Sequence, residues 1–135
     1  MACIGSAATL TLLQSCRTSK YATGELGKDG LYVDLDRFKA PKDKYHSSII
    51  VTHEELQYPV YVSRSAEGTY SAVLMRCPHQ GAELQASGDI LTCPAHNSEF
   101  DKGGKVLQGP AAEELRSFAT SVSGNQLFID LRKRA

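Results

Sequence analysis

The apolar positions of this chain fall in short runs broken by turn residues. Leu31-Tyr32-Val33-Asp34-Leu35 alternates loosely, and Ser48-Ile49-Ile50-Val51-Thr52 is β-branched. Pro59-Val60-Tyr61-Val62-Ser63 places its proline at a strand start, where a missing N–H does least harm. Tyr70-Ser71-Ala72-Val73-Leu74-Met75 runs directly toward a cysteine, and residues 90–92, 117–122 and 126–131 are further strand-like runs. Glu67-Gly68, Ser87-Gly88-Asp89, Gly103-Gly104 and Ser123-Gly124-Asn125 punctuate them as turns. Close-spaced short strands with glycine turns predict a small all-β, antiparallel domain over residues 30–135. No long helical period competes with that pattern.

The first sixteen residues, MACIGSAATLTLLQSC, are uncharged and apolar or small throughout. They are too few to span a bilayer as a helix, but they suit the apolar region of a secretory signal. The run ends Leu13-Gln14-Ser15-Cys16, which resembles a bacterial lipobox. That resemblance implies a signal peptide over 1–15, cleavage before Cys16, and lipid on Cys16 as the membrane attachment. It implies a bacterial envelope protein facing the periplasm, with a cytoplasmic location as the alternative. No Lys or Arg precedes the apolar stretch, so an ordinary apolar anchor or an incidental terminus stays open. Residues 16–29, polar and small, read as a flexible tether. About a dozen such residues reach on the order of 20 Å.

Composition narrows the partners. The charge balances, 15 basic residues against 15 acidic, and no long run has one sign. This argues against nucleic acid or an anionic membrane surface as the main partner. The length allows one domain with a modest core. His46 and His53 sit in polar settings and read as surface residues.

The chemistry lies in two short motifs. Cys77-Pro78-His79-Gln80-Gly81 joins a cysteine to a histidine across one residue, and Cys93-Pro94-Ala95-His96 does so across two. Cysteine and histidine are the donors that transition metals prefer. A structural zinc site usually keeps its two cysteines in one pair and its two histidines in another. Here each loop supplies one of each. That order fits a two-iron cluster better, because each loop can give its cysteine to one iron and its histidine to the other. A zinc module remains the alternative.

Cys-x-His-x-Gly followed by Cys-x-x-His-x-Ser-x-Phe-Asp resembles the signature of the Rieske 2Fe-2S family. The motif spans Cys77 to Asp101, and GPAAEELRSF from Gly109 to Phe118 resembles the family's covering loop. The resemblance implies a three-sheet antiparallel fold with a small cluster-binding subdomain over about residues 76–117. It implies that Cys77 and Cys93 hold one iron as thiolates and that His79 and His96 hold the other. Replacing two thiolates by neutral imidazoles removes two negative charges and makes an added electron cheaper. Such centres lie at about −150 to +300 mV, against about −400 mV for plant-type ferredoxins.

High-potential members also carry a disulfide between the two loops. Its positions are Ala82 and Ala95 here, and the family's nearby tyrosine is Phe100. Ser98 matches the serine whose hydroxyl contacts a cluster sulfide. An intermediate potential follows. The expected function is one-electron transfer, as a tethered carrier or a small subunit of a periplasmic redox complex. The expected partners are redox proteins, and the resemblance admits a quinone contact at His79 and His96. A soluble Rieske ferredoxin serving an oxygenase is the alternative. No segment resembling a mononuclear-iron catalytic domain accompanies the motif, so an electron-transfer protein is expected rather than a self-contained enzyme.

Overall fold

The computed structural model describes residues 20–135. The signal peptide expected over 1–15 and the lipidation expected at Cys16 lie outside the described residues. In chain order the strands are β1 (Tyr21–Thr23), β2 (Glu25–Leu26), β3 (Gly30–Asp34), β4 (Lys39–Ala40), β5 (Lys44–Tyr45), β6 (Ser48–Thr52), β7 (Val60–Arg64) and β8 (Tyr70–Leu74). Then come β9 (Gln85–Ser87), β10 (Ile90–Thr92), β11 (Glu99–Asp101), β12 (Val106–Gln108), β13 (Ser117–Ser123) and β14 (Gln126–Asp130). One 3₁₀ turn, Leu35–Phe38, is the only helical element among the described residues.

These strands form three sheets, as expected. The largest has the order β1-β6-β7-β8-β13-β14-β3-β2. Strands β1 and β2 are two halves of one stretch on either side of Gly24, whose N–H donates to the Thr52 carbonyl at 3.0 Å. The first half pairs parallel with β6 and the second antiparallel with β3. One bent segment therefore returns the sheet to its start and leaves it closed, which removes the open edges a flat sheet would expose. Within the span read as a tether, 16–29, Tyr21–Thr23 and Glu25–Leu26 are strand, so the fold begins before residue 30.

The four-stranded sheet, β12-β11-β10-β9, is built wholly from residues between β8 and β13. Its packing explains why the central strands read as unbroken apolar runs. In β6, Ile49 and Val51 point into the closed sheet and Ile50 points out. In β7, Val60 and Val62 point in and Tyr61 points out; in β8, Ala72 points in and Val73 out. The outward set, Ile50, Tyr61 and Val73, is covered by Met75, Leu84, Leu91, Phe100 and Leu115 from the smaller lobe. Strands buried on both faces lose the polar alternation of a half-exposed sheet. Each fully buried side chain of this kind contributes roughly 1.5–3 kcal/mol. Tyr61 also donates its hydroxyl to the Gly88 carbonyl at 3.1 Å, tying the two lobes. Burial pushes its phenol above the ordinary value.

Candidate metal centre

Both cysteine motifs sit in the smaller lobe, one on the loop between β8 and β9 and the other on the loop between β10 and β11. The loops fold alike. In the first, the Cys77 N–H donates to the Ala82 carbonyl at 2.8 Å, and the Gly81 N–H returns to the Cys77 carbonyl at 2.7 Å. In the second, the Cys93 N–H donates to the Ser98 carbonyl at 2.8 Å, and the Asn97 N–H returns to the Cys93 carbonyl at 2.9 Å. Each loop thus closes a tight turn on its own cysteine. The residue four places on must have positive φ, 75° at Gly81 and 61° at Asn97. Glycine, and among side-chain residues asparagine, adopt that conformation at least cost.

The shared turn sorts the candidate ligands by depth. Cys77 and Cys93 are wholly buried, and both are free thiols. They pack with Met75, Leu84, Leu91 and Phe100. His79 and His96 are exposed, with ring centroids 5.4 Å apart and planes at 79°. So the fold brings two sulfur donors together inside and two nitrogen donors together outside. Among the described residues no three His, Cys, Asp or Glu side chains converge on one point. A two-iron cluster does not need that, since it takes two protein donors on each iron.

The third wall is the 109–118 segment. Ser98, fully buried, accepts the Ala111 N–H on its Oγ at 2.9 Å. That leaves the Ser98 hydroxyl hydrogen available to a further acceptor. The Leu115 N–H donates to the Gly104 carbonyl at 2.8 Å and anchors the segment's other end. Pro110, Ala112 and Glu113 line a groove with Pro78 and His79. Phe100 is completely enclosed and brings no hydroxyl to the site. The donor set, its depth order and the free hydroxyl hydrogen all fit a cluster with two sulfur-ligated and two nitrogen-ligated positions.

Sequence reasoning missed two residues here. Tyr58 donates its hydroxyl to the Gly81 carbonyl at 2.7 Å, and Gln108 donates Nε2 to the Asn97 carbonyl at 3.0 Å. Neither lies in a motif, and no local spacing marks them. His46 and His53 stand apart from the site; His53 accepts the Glu55 N–H on Nδ1.

A family model described as Rieske [2Fe-2S] domain matches residues 38–119. Among solved structures, the chain is similar to the cyanobacterial plasma membrane Rieske protein PetC3 from Synechocystis PCC 6803. Identity is 33% and the TM-score 0.54, over 62% of this chain and 86% of that one. It is also similar in fold to the ferredoxin of carbazole 1,9a-dioxygenase from Nocardioides aromaticivorans IC177, at 19% identity and TM-score 0.51. That match covers 81% of this chain and 98% of the other. The quaternary ammonium Rieske monooxygenase CntA matches at 17% identity and TM-score 0.52, over 66% of this chain and 29% of its own length. No curated protein matches this chain.

Proposed function

The chain belongs to the Rieske [2Fe-2S] domain family, and from that membership we propose a one-electron carrier held at a bacterial membrane by lipid on Cys16. Electron transfer through a Rieske-type 2Fe-2S cluster is the family-level function, and the cluster supplies the uptake and release of single electrons. In the proposal, Cys77 and Cys93 hold the inner iron and His79 and His96 the outer one. The observation that carries it is the depth order: two enclosed free thiols behind two exposed imidazoles 5.4 Å apart.

Each residue then has a physical task. The enclosed cysteines keep water from their thiolates, packed against Leu84, Leu91 and Phe100. The exposed histidines bring the outer position to the surface, where a redox partner or a quinone could meet it. Ser98 offers its hydroxyl hydrogen toward the site while the Ala111 N–H fixes the oxygen. Donors of this kind stabilise the extra electron and raise the potential. With Ala82 and Ala95 at the family's disulfide positions and Phe100 in place of tyrosine, we place the potential in the middle of the Rieske range.

The attachment is supported by the sequence around Cys16. With β1 starting at Tyr21, only four residues separate Cys16 from the first strand. Five steps from Cys16 to Tyr21, at up to about 3.6 Å each, span at most about 18 Å, so lipid at Cys16 would keep the fold close to the membrane surface. Among the described residues no helix is long and apolar enough to cross a membrane. Iron and acid-labile sulfide analysis tests the cluster, and palmitate labelling tests the anchor. Equal iron and sulfide, with label lost in Cys16→Ala, is the expected result. A cluster without label would leave the soluble ferredoxin reading standing and remove the anchor.

A further inference from the structure

The two cysteine loops share no covalent tie, since Cys77 and Cys93 are both free. Yet each is gripped from outside at the same place. Tyr58, just ahead of β7, reaches the carbonyl of Gly81, and Gln108, the last residue of β12, reaches the carbonyl of Asn97. Both carbonyls belong to the positive-φ residue that closes its turn. Two unrelated side chains, from different parts of the chain, cap one equivalent atom in each loop.

The consequence follows from the planar trans peptide. Fixing a carbonyl fixes the whole plane, and the next N–H points the opposite way. Tyr58 therefore orients the Ala82 N–H, and Gln108 orients the Ser98 N–H, each away from its clamp. Among the described residues neither N–H donates to a protein acceptor. We propose that Tyr58 and Gln108 are positioning residues: they lock the two loops and aim the Ala82 and Ser98 amides as donors to the group the loops hold. The donor role rests on the cluster reading above; the locking does not. The Arg76 guanidinium, 5.8 Å from the Tyr58 ring centroid, helps seat the first clamp.

The half-buried Tyr58 bond is the stronger of the two, and the Gln108 bond is exposed. Losing one net hydrogen bond should open its loop about five-fold more often for Tyr58→Phe and about two-fold for Gln108→Leu. The test measures hydrogen exchange by mass spectrometry on the full chain as purified, together with the rate of visible bleaching and the width of the reduced EPR signal. Tyr58→Phe should speed exchange of the peptide carrying Ala82, leave the one carrying Ser98 and the β7–β8 ladder unchanged, hasten bleaching by the same factor, and broaden the signal. Gln108→Leu should do the converse. Unchanged exchange and bleaching in both variants would overturn the proposal, and so would faster exchange spread evenly over the fold. If the wild-type chain holds no iron, the cluster reading fails, while the exchange pattern still judges the clamps.

Discussion

Gly81 and Asn97 hold the same position in two loops of different length between their ligands. Each lies four residues past a buried cysteine, has positive φ, and donates its N–H to that cysteine's carbonyl. The first histidine comes two residues after its cysteine and the second three, yet the turn that closes each loop is one turn. Gly81→Ala should therefore lower stability by about 1–2 kcal/mol in urea unfolding, the cost of a Cβ in the left-handed region. Asn97→Gly should stay within about 0.5 kcal/mol of wild type, since glycine adopts that φ freely. Equal losses in both variants would mean that the shared turn is not what holds the loops.

Gly30 opens β3 opposite Asp130, and its backbone lies hard against the neighbouring strand. A Cβ there would overlap the Ile129 carbonyl oxygen and touch the Phe128 ring. Gly30→Ala should force β3 and β14 apart at a cost of roughly 1–3 kcal/mol. Thermal unfolding should shift down by at least about 4 °C. A Tm equal to wild type would contradict this packing account.

Ser98 tests the site's pull on the electron. Its oxygen already accepts the Ala111 N–H, so its hydroxyl hydrogen is free for a further acceptor. Ser98→Ala should lower the midpoint potential by roughly 60 mV, one tenfold step for a one-electron couple. The Ala111 N–H loses its acceptor in the same variant, so stability should fall by about 1 kcal/mol as well. A stability loss with an unmoved potential would assign Ser98 a purely structural part.

Asp130 sets an acid limit on the larger lobe. It pairs with Arg132 through both carboxylate oxygens, at 3.1 and 3.0 Å, and the pairing holds it below the ordinary 3.8. The sign follows: the folded state binds its proton less readily than the unfolded chain does. The stabilisation is complete above the ordinary value and is lost as pH falls through the lowered one. Urea midpoints measured from pH 6 downward should drop below about pH 4, and Asp130→Asn should flatten that drop. An identical acid limb in the variant would remove Asp130 from the account.

Much of this was legible in the sequence, and the gaps have physical causes. Cys77, His79, Cys93 and His96 stood out in the sequence as candidate ligands because transition metals prefer those residue types, and their spacing departs from the usual zinc patterns. The six longer strands, and the short β10, were readable from β-branched or apolar runs between glycine turns. The sheet's closure was not, because Tyr21–Thr23 and Glu25–Leu26 are too short and too polar to carry a period. Nor was the second core, since Ile49-Ile50-Val51 reads the same whether one face is covered or two. Tyr58 and Gln108 act across 23 and 11 positions, and a single long-range hydrogen bond leaves no local signal.

The central claim is that two thiols and two imidazoles divide one binuclear cluster between them. EPR of the dithionite-reduced full-length protein tests it most directly. The account predicts a mixed-valence signal with the low average g of a histidine-ligated 2Fe-2S centre, lost in Cys77→Ser and altered in His96→Cys. An EPR-silent protein containing zinc and no labile sulfide would contradict it.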